Sequence, residues 1–179
     1  MKQPGDAGAI PHDRSILANN CSIPSDWCLQ AVQQGLSDPH RGGRAVAILN
    51  FTSPDRSTNT LLVYKPKDMG VDAAYQALIE DLNANTELPA LRSLVVQTCD
   101  GYGYMEHVAH TLCTNAEELE RFYCNAGRLT ALLHLLGCTD CHHENLIASG
   151  DQLVLIDTET LLEADLPDHI QAAAEAKER

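Results

Sequence analysis

Apolar residues along the chain fall into short β-prone runs separated by polar turns, with one long stretch at helical spacing. The runs AVAILNF (45–51) and TLLVYK (60–65) flank the turn-forming TSPDRSTN, which predicts a hairpin with a long loop. Residues 71–85, VDAAYQALIEDLNAN, have the composition and spacing of a helix. SLVVQTC (93–99) and GYMEHV (103–108) read as two further strands around the Asp100-Gly101 turn. The plainest element is 116–137, AEELERFYCNAGRLTALLHLLG. There Leu119, Phe122, Tyr123, Ala126, Leu129, Leu133 and Leu136 recur every three or four residues as one apolar stripe. Asn115 is placed to cap its start, and Gly137 to take the left-handed conformation that ends it. NLIAS and QLVLIDTE then flank Gly150-Asp151 as a short hairpin. Upstream, PSDWCLQAVQQGL (24–36) predicts a short helix with Ser25 or Asp26 as its cap. Residues 1–23 read as a flexible polar lead-in, 24–163 as the core, and 164–179 as a polar helical tail.

Length and charge narrow the partners. At 179 residues the chain suits one domain with a core of its own. A net charge of −13 argues against a nucleic-acid backbone as ligand. An anionic nucleotide would need local cations or a divalent metal. No apolar run approaches the length of a membrane span, and no secretory pattern opens the chain. Seven cysteines, an odd number without an export signal, read as reduced thiols in a cytoplasmic protein.

The candidate chemistry centres on CTDCHHEN, residues 138–145. Cys138 and Cys141 have the spacing of a zinc knuckle, with His142 or His143 as a third ligand. The chain lacks the second CxxC pair of a structural zinc site and offers only His107, His110 and Cys113 nearby in sequence. CTDCH also matches a haem-attachment pattern, but all three methionines precede it, and the exported setting is missing. A redox dithiol gains its low thiol pKa at a helix N-terminus, whereas this pair follows a helix C-terminus.

The remaining reading sets the cysteines aside and takes Asp140, His142, Asn145 and Asp157. Phosphoryl transfer needs a carboxylate by the attacking hydroxyl, an amide on the metal, and a second carboxylate that holds Mg²⁺ against the phosphates. Asp140 and Asn145 stand five apart, as in the protein-kinase catalytic loop, and Asp157 follows seventeen residues after Asp140, beyond the hairpin. Lys65 ends the second strand of the first hairpin, where a kinase places its phosphate-binding lysine, and a helix follows it.

Asp-x-His-x-x-Asn resembles the DRHxxN loop of lipid kinases. More closely, TDCHHENLIASGDQLVLIDTETL resembles the dehydratase domain of class II (LanM-type) lanthipeptide synthetases, with their TDxHxEN loop, I-A-x-G turn and IDxETL strand. SDPHRGGRAVAIL is similar to that family's GDxHxxGRxV phosphate loop, and LVYKPKDMGVD and YGYMEHV continue the likeness over residues 36–165. The resemblance implies an α+β, kinase-like two-lobed core, a small antiparallel sheet plus helices, truncated in its C-terminal lobe. It implies transfer of the ATP γ-phosphoryl group to Ser or Thr of a ribosomal precursor peptide, then phosphate elimination to leave a dehydrated residue. By the same resemblance Asp140 orients or deprotonates the hydroxyl and His142 supports the transferring phosphoryl group. Asn145 and Asp157 hold Mg²⁺, Lys65 pairs with ATP phosphates, and Asp38 and His40 assist phosphate handling. Arg41 and Arg44 supply positive charge beside that loop. Glu159 is either a second metal contact or solvated, and the acidic partner of Lys65 is open between Glu80 and Asp81.

Members of that family are far longer, so the elimination machinery and the zinc cyclase are expected outside these 179 residues. The expected partners are therefore the precursor peptide and the remaining part of a synthetase. Two other functions stay open at this point. One is a non-catalytic nucleotide-binding partner module. The other is a small zinc-stabilised interaction domain.

Overall fold

A computed structural model describes residues 10–35 and 45–162, so the loop with Asp38, His40, Arg41 and Arg44 and the tail from 163 onward lie outside the described residues. The class is α+β, with small antiparallel sheets and three helices. In order these are α1 (Ile10–Asn20), β1 (Cys28–Gln33), β2 (Ala47–Thr52), β3 (Asn59–Lys65), α2 (Gly70–Asn85), β4 (Val96–Cys99), β5 (Tyr102–Glu106), α3 (Ala116–Leu135), β6 (Leu146–Ser149) and β7 (Gln152–Leu155). The first five strands form one sheet in the order β1-β2-β3-β5-β4, and β6 and β7 form a separate hairpin. Every strand pair is antiparallel.

The period-two alternation of the strands decides which side chains meet. Ala47, Leu49 and Phe51 of β2 share a face with Leu62 of β3 and Tyr104 of β5. Leu17 of α1 and Ile23 close that face as one apolar cluster. On the opposite face Val63, Met105 and Val96 line up across β3, β5 and β4 and pack with Met69, Leu94, Val108 and Val154. A third cluster joins Tyr75 and Ile79 of α2 to Leu129 and Leu133 of α3 and Leu155 of β7. Lys65 lies on the second face, one strand period beyond Val63, and its side chain is therefore delivered toward α2 and the β6–β7 hairpin.

Gly103 is required beside it. It pairs with Lys65 across the sheet, and a Cβ there would stand 2.5 Å from Met69 Cγ and 2.6 Å from the Gln97 carbonyl oxygen. The bare backbone lets Met69, fully buried, lie against the sheet immediately before α2 begins.

The ends of α3 form as its sequence predicts. Asn115 accepts the Glu118 backbone N–H at 2.9 Å, while the Glu118 carboxylate accepts the Thr114 N–H and hydroxyl at 2.6 and 2.9 Å. Gly137 adopts φ +64° just past the helix. Its buried stripe differs in part from the expected one. Asn125, Leu129 and Leu133 are buried, whereas Leu119 and Tyr123 are 46% and 68% exposed. Asn125 earns its buried place by donating to the Asp151 carbonyl at 2.8 Å, which ties α3 to the β6–β7 turn.

Two expectations fail at the N-terminal end. Residues 24–36, expected as a helix, carry strand β1, and Ser25-Asp26 form a turn rather than a cap. Its register with β2 runs from Cys28↔Thr52 to Gln33↔Ile48, with an irregularity between Leu29 and Ala31. The open edge of β2 offers a row of backbone partners that outweighs a weak helical preference. Residues 10–20, read as part of a loose lead-in, form α1, because burying Leu17 to 1% exposure on the sheet organises them. Among the described residues no helix is long and apolar enough to cross a membrane.

Candidate functional site

Two groups of polar side chains meet where β3, α2 and the β6–β7 hairpin converge. The first is built on regular elements. Lys65, 6% exposed, donates from Nζ to Asp72 Oδ1 at 3.3 Å and to the Ile156 carbonyl oxygen at 2.5 Å. Asp72, 1% exposed, sits in the first turn of α2, where the helix field favours a negative charge. The partner of Lys65 is thus Asp72, and neither Glu80 nor Asp81, both on the exposed side of α2, fills that role. Spacing carried the signal: Asp72, Tyr75, Gln76 and Ile79 all lie on the buried face of the helix.

Lys67, which the sequence reading left without a role, completes this group. Its ammonium is 2.9 Å from Asp157 Oδ1, 2.8 Å from Glu159 Oε1 and 4.0 Å from Asp72 Oδ2. Burial works to lower the Lys67 pKa, but the hydrogen bonds it donates to Glu159 and Asp157 and the charge of Asp72 prevail and raise it. For Asp157 burial works upward, and the hydrogen bond from Lys67 with the charges of Lys67 and Lys65 brings it below the usual carboxylate value. Between the two acids Thr158 turns inward, 1% exposed, and its hydroxyl meets no partner among the described residues.

The second group lies on the loop between α3 and β6. Asn145 Nδ2 donates to both the Oδ2 and the backbone carbonyl of Asp140, each at 3.0 Å. His142 Nε2 stands 3.1 Å from Asp140 Oδ1. The Glu144 backbone N–H donates to His142 Nδ1 at 3.2 Å, so the ring nitrogen facing Asp140 carries the hydrogen. Asp140 and His142 are about half exposed, their side chains at 51% and 46%. Thr160 anchors the loop from beyond Asp157: its hydroxyl accepts the Asp140 backbone N–H at 3.1 Å and lies 3.6 Å from Cys138 Sγ.

The hairpin joins the two groups. The Ile156 N–H donates to the Asn145 carbonyl at 2.9 Å, so Asn145 stands opposite the residue whose own carbonyl receives Lys65. The backbone at Ile156 thus links Lys65 on one side to the loop of Asp140, His142 and Asn145 on the other, one residue before Asp157. Asp38 and His40 lie outside the described residues. Cys138 and Cys141, read from sequence as reduced, are joined in a disulfide, their Cα atoms 6.4 Å apart across the Thr139-Asp140 pair. The chain reversal after Gly137 brings the two positions within bridging distance. Among the described residues no group of three or more His, Cys, Asp or Glu side chains is placed to hold a metal. The oxygens that Asp157 and Asn145 offer are hard donors, a carboxylate and an amide. They suit Mg²⁺ completed by phosphate oxygens better than a closed zinc cage.

Residues 8–179 match the family described as Domain of unknown function (DUF4135), and the chain belongs to that family. It is 27% identical over 133 residues to the lacticin 481/lactococcin biosynthesis protein LcnDR2 of Lactococcus lactis subsp. lactis. The match covers 69% of this chain and 14% of that protein, so the chain corresponds to a small part of its relative's length.

Proposed function

We propose that this chain is the nucleotide-handling core of a lanthipeptide-maturation dehydratase, with a kinase-like arrangement of its site. It directs the γ-phosphoryl group of Mg·ATP onto Ser or Thr of a precursor peptide, and phosphate elimination follows. The reading is carried by one observation. A buried strand lysine, Lys65, is held by a helix carboxylate and by the backbone immediately before Asp157, with the Asp140–His142–Asn145 loop hydrogen-bonded alongside. The relative's role in lacticin 481/lactococcin biosynthesis supports the peptide as substrate.

In this arrangement Asp157 and Asn145 would hold Mg²⁺, which supplies charge neutralisation along the phosphates. Lys65 is fixed by Asp72 so that its ammonium faces the nucleotide side without rotamer search. Asp140 accepts the hydrogen of the peptide hydroxyl in line with the phosphoryl group. His142, whose hydrogen-bearing Nε2 faces Asp140, orients that carboxylate toward the hydroxyl. The elimination half and capture of the leader peptide call for surfaces supplied by the remaining part of a synthetase.

Calorimetry of Mg·ATP binding to the chain and to Asp157→Asn tests the reading. Binding that weakens at least about tenfold in the variant is the expected result. Absence of binding by the folded wild type would overturn it. Loss of water mass from a precursor peptide, assayed with the rest of the synthetase present, then separates an enzyme from a binding module.

A further inference from the structure

Lys67 sits where the carboxylates of Asp157 and Glu159 present their oxygens. Its Nζ touches Asp157 at 2.9 Å and Glu159 at 2.8 Å, with Asp72 at 4.0 Å and the Lys67 side chain only 16% exposed. Lys65 meanwhile engages the other oxygen of Asp72 at 3.3 Å. Two lysines thus face three carboxylates, and the set carries a residual charge of −1. The two ammonium groups are not equivalent. Lys65 is locked by a backbone carbonyl as well as Asp72, whereas Lys67 holds only side chains, one of which, Glu159, is 50% exposed.

We propose that Lys67 is an exchangeable internal cation of this site. It neutralises Asp157 and Glu159 when no divalent ion is held, and a hard divalent metal, Mg²⁺ or Mn²⁺, must displace it to bind. The inference rests on the reading of Asp157 as a metal carboxylate. Its physical ground is the geometry. A divalent ion bound through Asp157 Oδ1 would stand within a few ångströms of the ammonium, and repulsion at that range in a partly dry site is worth far more than one exposed ion pair. Lys67 therefore leaves as the metal arrives. The flexible lysine stem allows this without moving β3 or α2, and the released ammonium is left beside the phosphate position. No covalent step is involved. Lys67 is a positioning residue that sets the threshold for metal loading and couples it to nucleotide.

The test is Mn²⁺ affinity without nucleotide, read from the paramagnetic resonance signal of free Mn²⁺, for wild type, Lys67→Gln and Lys67→Arg. Removing the competing charge should tighten Mn²⁺ binding in Lys67→Gln by at least about tenfold. Lys67→Arg, which keeps the charge, should stay near wild type. The double variant Lys67→Gln/Asp157→Asn should lose the gain. Equal or weaker binding by folded Lys67→Gln overturns the proposal. A second measurement uses unaltered protein, mapping acetylation of Lys67 by mass spectrometry as Mg²⁺ is raised. Acceleration at Lys67 relative to an exposed lysine supports exchange, and an unchanged or slowed rate overturns it. Wild-type Mg·ATP binding is measured separately. If it is present while Lys67→Gln gains nothing, the exchange idea fails and the nucleotide reading stands. If it is absent, the nucleotide reading fails on its own test.

Discussion

The two halves of the candidate site solve the same problem, holding a charge in place, by opposite means. Lys65 and Asp72 are buried on a strand and a helix, and each is fixed by the packing of the element that carries it. Asp140 and His142 stand on a loop about half exposed, held by short-range hydrogen bonds to Asn145, Glu144 and Thr160. A buried pair is expensive to break, because the survivor is left charged and desolvated. An exposed loop can lose one partner and be solvated instead. The first half is therefore part of the fold, and the second half rests on it.

That contrast predicts the largest effect. Asp72→Asn should lower unfolding free energy by about 3–5 kcal/mol, since Lys65 then keeps a buried charge without its counter-ion. Asp140→Asn should lower it by less than about 1 kcal/mol while removing the group proposed to accept the hydroxyl hydrogen. Urea unfolding of both variants in one buffer measures the difference. Similar losses in the two would erase the distinction.

The next effect sharpens the comparison at the packing level. Gly103→Ala should destabilise by about 1–3 kcal/mol, because the added methyl meets the Gln97 backbone oxygen as well as flexible Met69. The displacement would reach Lys65, its cross-strand partner, so the proposed nucleotide affinity should fall with stability. Gly127→Ala in α3 is the control. Its added methyl meets nothing within 4 Å, and alanine should stabilise the helix by about 0.5–1 kcal/mol. Thermal unfolding of the two alanine variants should move in opposite directions.

The same contrast explains what could be read from the chain beforehand. The hairpin β2–β3, helices α2 and α3, and the β6–β7 hairpin follow from local periodicity and turn residues. Asn115 and Gly137 act at the two ends of α3 as their types suggest. That Asp140, His142 and Asn145 stand together is legible because they lie within six positions on one loop. Asp72 and Lys67 were missed for a different reason. Their roles exist only once β3, α2 and the end of the hairpin are packed together, and the pairs Lys65–Asp72 and Lys67–Asp157 span different distances along the chain. Strand β1 was missed because its partner, β2, is what makes CLQAVQ extended. Helix α1 likewise depends on burying Leu17 and Ile23 against a sheet that forms later in the sequence.

The smallest expected effect lies where the two halves meet, at Asp157. Its carboxyl is held below the ordinary 3.8, burial opposing this and Lys67 overcoming the opposition. A depressed carboxyl contributes stability that is present above its unfolded value and is lost as pH falls through the folded one. The stability gap between wild type and Asp157→Asn should therefore be steady from about pH 7 to 5 and close as the pH drops below about 4. Lys67 gives the mirror image, since its pKa is raised above 10.5: its contribution is whole below that value and disappears only in stronger alkali. With the Asp157 side chain 35% exposed, solvent screening limits the gap to about 1 kcal/mol or less. Raising the salt to about 0.5 M should shrink it further. A gap that neither closes in acid nor responds to salt would mean that Lys67 contributes packing rather than charge. Asp157 would then belong with the buried anchor, and the boundary between the two halves would move to the exposed loop alone.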